Sequence, residues 1–371
     1  MNENNEKNTK APVKGDLKSP TKEYKIKARK IKTILIIGII IVLILGYLSL
    51  MLGVSNVSFT QMLDILINKP NSNLTIVIWN LRLPRIIADI VAGAGLGICG
   101  CVMQSNLKNH LAAPSTIGVT NAAAFGANLA IIVFGAGTFT SGQSGTIKIA
   151  APYLVTIFAF AFAILSVILV MLLSKINSFS ADIIILAGVA ISSLFAAGTT
   201  FVQYFGNDQN IAQAVFWTFG NPGRVSWNEL FILLVVFAIS ISYFMFKSWD
   251  YNAMLNGEDI ARSLGVNTVS VRTTAMFFSS LLVATIVSFV GIISFVGLIA
   301  PQISRRYIGN DHRFLMPASA ILGAIVLTLS DMFARVVLSP MVIPVGVVTS
   351  FLGAPIFMYV LIKEHRRRKR K

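Results

Sequence analysis

The chain has 371 residues, of which 55% are hydrophobic and only 12% are charged, and its formal net charge is +16. A soluble domain carries about 25% charged residues, so this composition excludes a soluble protein and indicates one that crosses a membrane several times. The excess of Lys and Arg would suggest a nucleic-acid-binding protein if the chain were soluble. Here these residues lie in tails and short loops, where they orient membrane spans, and we expect no nucleic-acid partner.

The chain begins with a polar, lysine-rich segment at 1–32, which predicts a disordered cytoplasmic tail. A transmembrane region at 33–362 follows, and the basic residues 363–371 form a second cytoplasmic tail. The first six apolar segments predict transmembrane helices over about 33–53, 84–105, 114–135, 150–174, 183–204 and 230–246. Pro84 suits the first turn of the second helix, and the polar loop 205–228 has room for a short helix.

The second half contains a charge-free stretch, 273–304, that is too long for one membrane span. At about 1.5 Å per residue it would form a helix of about 48 Å, whereas the hydrocarbon core of a bilayer is about 30 Å thick. Glycines and Pro301 favour a break, so we predict a seventh helix and a short eighth helix joined near 291–297. The ninth and tenth helices are expected at about 314–334 and 344–362.

These elements predict an all-α polytopic membrane protein with about ten transmembrane helices and both termini in the cytoplasm. Most of the 31 Lys and Arg residues then lie in the tails and the cytoplasmic loops, as the positive-inside rule requires. A cytoplasmic segment at 247–272 joins the sixth and seventh helices. It has a helical pattern of its own at 258–264, which Gly265 ends.

Small residues mark candidate contacts inside the helix bundle. Gly93, Gly97 and Gly100 lie on one face of the second helix and predict close packing against another helix. Ser192 and Ser193 of the fifth helix are candidates for lining a transport pathway by their position alone. Hydrogen bonds between helices would explain these two serines equally well.

Three arginines lie at the outer membrane face, against the positive-inside trend: Arg82, Arg85 and Arg335. Two of them have a carboxylate one helical turn away, because Asp89 follows Arg85 by four residues and Asp331 precedes Arg335 by four. Two interpretations stay open. The charged groups form ion pairs that hold the helix ends, or the arginines form a cationic rim that receives acidic side chains of an external protein.

The remaining polar residues suggest one candidate docking segment, but no metal site, disulfide framework or ATP-binding motif. The segment 256–266 is amphipathic and too polar to enter lipid, so it either rests on lipid headgroups or docks on a cytoplasmic partner. Cys99, Cys101 and three scattered histidines lack the spacing of a disulfide framework or a metal site, and we expect no cofactor. The chain has no G-x-x-x-x-G-K-[ST] motif, so ATP hydrolysis is expected in another polypeptide and this chain is expected to be non-catalytic.

Several motifs occur in one order along the chain: LRLPR (81–85), Asn109–Pro114 followed by Gly118, GEDIARSLGV (257–266), SFVGLIAPQ (294–302), GNDHR (309–313), DMFAR (331–335) and PVGVVTSFLGAP (344–355). Together they resemble the FecCD/BtuC-like permeases of ABC importers for iron-siderophores, haem and cobalamin. The resemblance covers about residues 78–362. The sequence departs from the family pattern at His110, where the family usually has a proline.

The resemblance implies a type II ABC importer permease fold in the cytoplasmic membrane of a bacterium. It implies that Arg82, Arg85 and Arg335 pair with glutamates of an external solute-binding protein. It also implies that the cytoplasmic segment couples transport to two ATPase subunits, through residues that match the family's coupling loop: Gly257, Glu258, Ala261, Ser263, Leu264 and Gly265. A second permease subunit, identical or homologous, would complete the pore within the membrane lipid.

The resemblance leaves the cargo open. We expect an iron(III)-siderophore, because this is the commonest assignment in the family, with haem and cobalamin as alternatives. A different class of protein, a proton- or ion-coupled secondary transporter, would need functional carboxylates inside the membrane, and the candidates are Asp89, Asp182 and Asp331. All three lie within a turn or two of a predicted helix end, where ion pairing explains them more simply.

Overall fold

The computed structural model describes residues 20–52, 59–70, 72–136, 151–175, 180–339 and 341–368. Within these ranges the regular secondary structure is helical, apart from one β-bridge between Phe219 and Ile292. The helices, numbered along the chain, are α1 (Pro20–Met51), α2 (Phe59–Asn68), α3 (Asn73–Asn106), α4 (Val119–Val133), α5 (Pro152–Lys175), α6 (Ala181–Tyr204), α7 (Asp208–Thr218), α8 (Trp227–Phe246), α9 (Ser248–Met254), α10 (Glu258–Ser263), α11 (Thr268–Val290), α12 (Val296–Ile308), α13 (His312–Val336) and α14 (Val345–Arg368).

Ten of these helices correspond to the ten predicted membrane spans. Seven are long and apolar enough to cross a bilayer: α1, α3, α5, α6, α8, α11 and α13. The other three are shorter, namely α4, the apolar part of α14 at Val345–Tyr359, and α12 with 13 residues. The all-α fold and the approximate number of spans are therefore confirmed for the part of the chain that the structure describes.

The predicted break in the longest apolar stretch is also confirmed. Helix α11 ends at Val290 and α12 begins at Val296. Gly291 between them has a φ of +91°, which residues with a Cβ rarely adopt. The backbone N–H of Asn221 donates to Val290 O at 2.7 Å. Irregular backbone at membrane depth is tolerated where hydrogen bonds within the protein replace those to water, as this one does.

Both terminal helices extend into the segments predicted as tails. Helix α1 starts at Pro20, so residues 20–32 are helical, whereas residues 1–19 lie outside the described residues. Lys, Arg, Glu and Ala are good helix formers, and a charged sequence carries no apolar pattern that would reveal the helix. At the other end, α14 continues to Arg368, into the predicted tail at 363–371.

Helix α3 begins earlier than predicted, at Asn73 rather than near Pro84. Its segment Val77–Arg82 is π-helical and ends two residues before Pro84. A proline inside an α-helix removes a hydrogen bond and its ring clashes with the carbonyl four residues earlier, so we attribute the wider turn to Pro84. The polar stretch before α3 contains a further short helix, α2, and the predicted helix in the loop 205–228 is α7.

Helix α3 is mostly buried and packs against α11, α12 and α13. A methyl group on Gly93 would lie 2.5 Å from Gly323 O of α13. On Gly97 or Gly100 it would come even closer to carbonyl oxygens of α13 and α12. No side chain separates the backbones at these positions, and small residues allow such close contact between membrane helices.

Candidate functional sites

The outer ends of α3 and α13 bring two arginines to one carboxylate. Arg85 Nη2 and Nε donate to Asp331 Oδ1 at 2.6 and 3.1 Å, and Arg335 Nε lies 2.9 Å from Asp331 Oδ2. The Asp331 side chain is fully buried, and those of Arg85 and Arg335 are 15% and 8% exposed. One buried carboxylate therefore holds the guanidinium groups of two different helices.

The spacing along α3 predicts a pair between Arg85 and Asp89, but Arg85 reaches across to Asp331 instead. Asp89 is fully buried, and neither of its carboxyl oxygens forms a hydrogen bond with the described residues. It does lie within electrostatic range of Asp331 and both arginines. The pair between Asp331 and Arg335, one turn apart in α13, is observed as predicted. Spacing identifies contacts along one helix and carries no information about contacts between helices.

Two arginines also bind the outer end of α1. Arg82 donates to Leu50 O at 2.7 Å, and Arg335 donates to Ser49 O and Leu52 O, each at 3.2 Å. Arg335 also donates to the Ser49 hydroxyl. The last carbonyls of a helix have no partner within the helix, and cationic side chains are favourable there. Helix α1 is therefore tied to α3 and α13 at the outer membrane face.

The loop before α8 covers part of this arginine cluster. A methyl group on Gly223 would lie 2.9 Å from Arg85 Nη1. The adjacent Arg224 donates to the carbonyls of Phe216 and Trp217 in the last turn of α7, at 2.6 and 2.9 Å. Burial lowers the pKa of the Arg224 guanidinium to about 10, so this group stays charged at neutral pH and keeps the loop in place.

The cytoplasmic segment predicted between the sixth and seventh spans contains α9 and α10. Gly257 and Gly265 flank α10 with φ angles of +117° and +84°, conformations that favour glycine. Ala261 is fully buried, whereas Ile260 and Leu264 are 51% and 67% exposed. Ile260 in α10 and Leu264 directly after it therefore expose two large apolar side chains outside the membrane spans.

Charged contacts join α10 to the membrane helices. Glu258, in its first turn, forms an ion pair with Arg272 of α11 at 2.6 Å. The Arg272 side chain is 4% exposed and also donates to Asn106 O at the end of α3, at 3.2 Å. Ser263 is exposed, and its hydroxyl donates to Ile260 O within α10. The position of α10 is thus linked to α11 and, through Arg272, to α3.

Helix α9 is joined to the start of α13 by contacts that sequence analysis missed. Asn252 Nδ2 donates to Asp311 Oδ1 at 2.9 Å, and Asn252 Oδ1 accepts from the backbone N–H of His312 at 2.8 Å. The guanidinium carbon of Arg313 lies 4.1 Å from the centre of the Trp249 ring. Burial alone would raise the pKa of the Asp311 carboxyl, but hydrogen bonds from Arg313 and Asn252 outweigh burial and lower it. No short motif signals this cluster, because Asn252 and Asp311 are 59 residues apart.

His110 lies in the turn after α3. Its Nδ1 is 2.6 Å from Arg305 Nη1, and its carbonyl accepts from Gln302 Nε2 at 2.9 Å. A guanidinium group only donates hydrogen bonds, so Nδ1 accepts and the neutral ring carries its proton on Nε2. The turn is therefore held against α12 through the side chain that stands where the family usually has a proline.

The two serines considered for a transport pathway lie on α6. Ser192 Oγ accepts from Asn121 Nδ2 of α4 at 2.6 Å, and Ser193 is exposed. Ser192 thus makes a contact between helices, the alternative that the sequence left open, and Ser193 is the more accessible of the two. Among the described residues, no group of His, Cys, Asp and Glu side chains is arranged to hold a metal ion.

Solved structures identify the class of this fold. An ABC transporter assigned to the metal-chelate type, in an inward-facing conformation, superimposes with a TM-score of 0.78 at 31% identity, and the alignment covers 90% of this chain and 99% of that one. PsaBC from Streptococcus pneumoniae, solved in complex with Fab, gives a TM-score of 0.53 at 17% identity over 81% and 95% of the two chains, a likeness of fold alone. The fold is that of a type II ABC importer permease, a multi-pass protein of the cytoplasmic membrane.

The profile of the FecCD transport family matches residues 40–363, and the chain belongs to this family of ABC importer permeases. A Methanocaldococcus jannaschii protein assigned as an ABC transporter permease is 47% identical over 93% of this chain and 98% of that protein. The iron(3+)-hydroxamate import system permease protein FhuG of Bacillus subtilis is 31% identical over 91% and 99%. The vitamin B12 import system permease protein BtuC of Citrobacter koseri is 32% identical over 78% and 84%. The resemblance seen in the motifs is confirmed.

Proposed function

We propose that this chain is the permease subunit of an ATP-driven importer that carries an iron(III)-siderophore complex across the cytoplasmic membrane. The observation that carries the siderophore assignment is the similarity to the iron(3+)-hydroxamate permease protein, which extends over 99% of that protein and 91% of this chain. Separate cytoplasmic ATPase subunits hydrolyse ATP in this arrangement. A solute-binding protein delivers the cargo from outside.

On the outer face, Arg82, Arg85 and Arg335 receive acidic side chains of the solute-binding protein. Asp331 already holds Arg85 and Arg335 in buried ion pairs, so an arriving carboxylate competes with Asp331 for a guanidinium group. Such an exchange replaces one charged partner with another, which avoids leaving an arginine unpaired in a buried position. Because Arg335 also binds the end of α1, docking would change the contacts between α1 and α13.

On the cytoplasmic face, α10 docks on an ATPase subunit. The exposed Leu264 supports this role, because a large apolar side chain outside the lipid is a favourable anchor at a protein interface. Gly257 and Gly265 set the ends of the helix. The ion pair between Glu258 and Arg272 provides a route by which movement of the ATPases shifts α11 and α3.

A second permease subunit, either another copy of this chain or a homologue, completes the transport pathway. Haem and cobalamin are the alternative cargoes. Of these two alternatives, cobalamin has support from a comparison. The vitamin B12 permease BtuC of Citrobacter koseri is 32% identical to this chain, and the hydroxamate permease is 31% identical.

Uptake of labelled cargo tests this proposal. Cells that lack their own importers express the chain with ATPase subunits and a solute-binding protein of the same organism, and receive a radiolabelled ferric hydroxamate, haem or cobalamin. We expect the ferric hydroxamate to accumulate, and an ATPase variant that cannot hydrolyse ATP to abolish its uptake. Accumulation of haem or cobalamin alone would overturn the siderophore assignment and keep the importer assignment. Accumulation of none of the three, with all subunits present in the membrane, would contradict both.

A further inference from the structure

Helix α1 is longer than a membrane span requires. It runs from Pro20 to Met51, or about 48 Å at 1.5 Å per residue, whereas about 20 residues cross the hydrocarbon core. Its apolar part begins at Thr33, so the residues from Pro20 to Lys32 continue beyond the core on the cytoplasmic side. The match to the FecCD family model begins at residue 40, so the extension lies before the matched region.

The extension is packed against the rest of the protein at Ile31. This side chain is 6% exposed and forms a small apolar cluster with Ile308 of α12 and Ala318 of α13. One turn or two further along α1, Leu35 joins the same cluster and Gly38 contacts Ile321 of α13. The contacts of α1 with α12 and α13 thus include Ile31, just beyond the cytoplasmic end of the apolar segment. They fix how the extension is rotated about its axis, and therefore which of its side chains face away from α12 and α13.

The extension carries five exposed cationic side chains: Lys25, Lys27, Arg29, Lys30 and Lys32. Lys27 lies one turn before Ile31 on the same face of the helix, and the other four lie on the remaining faces. None of them forms an ion pair with the residues that the structure describes, and the segment from Lys25 to Lys32 contains no acidic residue. An ordered surface of unpaired positive charge is complementary to a surface of negative charge.

The position of these residues relative to the bilayer surface favours lipid headgroups as their binding partner. Lys32 lies at the edge of the apolar segment, and Lys25 is about 10 Å further along the helix axis. The headgroup layer is about 5–7 Å thick on each side of the bilayer, and long Lys and Arg side chains extend toward it while their stems lie along the helix. Clusters of four to eight basic residues immediately cytoplasmic of a membrane span are typical of binding to anionic lipid.

We propose that the basic extension of α1, defined by Lys25, Lys27, Arg29, Lys30 and Lys32, binds the phosphate headgroups of anionic phospholipids in the cytoplasmic leaflet. Binding holds α1 against α13 at its cytoplasmic end. At the outer end of the same two helices, Arg335 makes the corresponding link by binding the carbonyls of Ser49 and Leu52. The headgroup contact therefore stabilises the packing of α1 against α13, the helix that carries Asp331 and Arg335.

Lipid retention by the full-length protein tests this inference. The protein is extracted from bilayers of mixed phosphatidylglycerol and phosphatidylcholine, and native mass spectrometry gives the ratio of the two lipids that stay bound. The test variant is Lys27→Gln with Lys30→Gln. The matched control is Lys108→Gln with Lys175→Gln, which removes two cationic side chains elsewhere on the cytoplasmic side, in the turn after α3 and at the end of α5.

We expect the wild type to retain phosphatidylglycerol in preference. Each basic residue near an anionic surface strengthens binding roughly fivefold. Loss of two such residues should therefore reduce the preference of the test variant roughly 25-fold, and the control should keep its preference. Equal losses in both variants, or a wild type without preference, would overturn the proposal. It would also be overturned if the assembled complex with ATPase subunits lost the preference, because that result assigns the surface to a protein partner.

A measurement on the wild type covers the case in which the test variant fails to fold or inserts wrongly. The Debye length falls from about 10 Å at 0.1 M salt to about 3 Å at 1 M, so the preference for phosphatidylglycerol should weaken strongly over this range. A preference that does not change with salt would overturn the electrostatic contact.

Discussion

At the residue scale, the outer face depends on Asp331, because this carboxylate is shared by arginines from two helices. Removing charged groups from water costs free energy that only well-placed partners recover. Asp331 provides such a partner for both Arg85 and Arg335, and Arg335 in turn binds carbonyls at the end of α1. Loss of this one charge should therefore affect the contacts of three helices.

Replacing Asp331 with Asn keeps the size of the side chain and removes the charge that the two guanidinium groups share. A buried ion pair that loses one partner costs about 3–5 kcal/mol, so we expect Asp331→Asn to lower the free energy of unfolding by this order. Thermal unfolding of the purified protein in detergent measures the change. Asp182→Asn is the control, since Asp182 is exposed in the first turn of α6, and it should cost less than about 1 kcal/mol. Equal losses in the two variants would contradict the role of Asp331.

Asp311 predicts a dependence on pH at the cytoplasmic end of α13. Its pKa is lowered in the folded protein, so its contribution to stability is present above the unfolded-state pKa of about 3.9 and is lost as the pH falls through the folded-state pKa. Asp311→Asn should therefore lower the unfolding temperature at neutral pH. In strong acid, below the folded-state pKa, the difference from the wild type should shrink toward zero. Unfolding of both proteins over a pH series tests this, and a constant difference at all pH values would count against it.

At the scale of elements, direct contact between the backbones of α3 and α13 explains why glycines recur on one face of α3. A methyl group on Gly97 would overlap Ser319 O, so Gly97→Ala should force the helices apart at a cost of about 1–3 kcal/mol. Gly95→Ala is the matched control two residues away, because its methyl group would meet side-chain atoms of Ile286 and Leu282 rather than backbone. Unfolding temperatures should fall more for Gly97→Ala than for Gly95→Ala. The reverse order would show that this contact does not limit stability.

Helix α10 gives a second test at this scale. Leu264 is 67% exposed, so Leu264→Ala should leave the fold unchanged and weaken association with the ATPase subunit. Truncating an apolar anchor at an interface typically costs more than about 1 kcal/mol, so we expect roughly tenfold weaker binding. Leu111→Ala is the control, because Leu111 is 47% exposed in the turn after α3, outside the coupling segment. If both variants bind the ATPase as tightly as the wild type, α10 is not the docking element.

At the scale of the whole molecule, the membrane spans could be predicted because long apolar segments identify them, and the break after Val290 follows from the length of one such segment. The start of α1 at Pro20 could not be predicted in the same way, since polar and charged residues form its first turns. The start of α3 at Asn73 was missed because Pro84 is typical of a first helical turn and suggests a later start. Within the sites, the sequence identified Arg85 and Asp331 but not their pairing. They are 246 residues apart, and only the packing of α3 against α13 brings them together.

The most direct measurement of ATP-driven import is transport into proteoliposomes that contain the permease and its ATPase subunits. ATP is enclosed with the ATPases, and a solute-binding protein loaded with a ferric hydroxamate is added outside. We predict that the hydroxamate accumulates only when both ATP and the binding protein are present, and that a protonophore does not stop it. Accumulation without ATP, driven by a proton gradient and abolished by the protonophore, would contradict this function. It would instead assign the coupling to buried carboxylates such as Asp89 and Asp331.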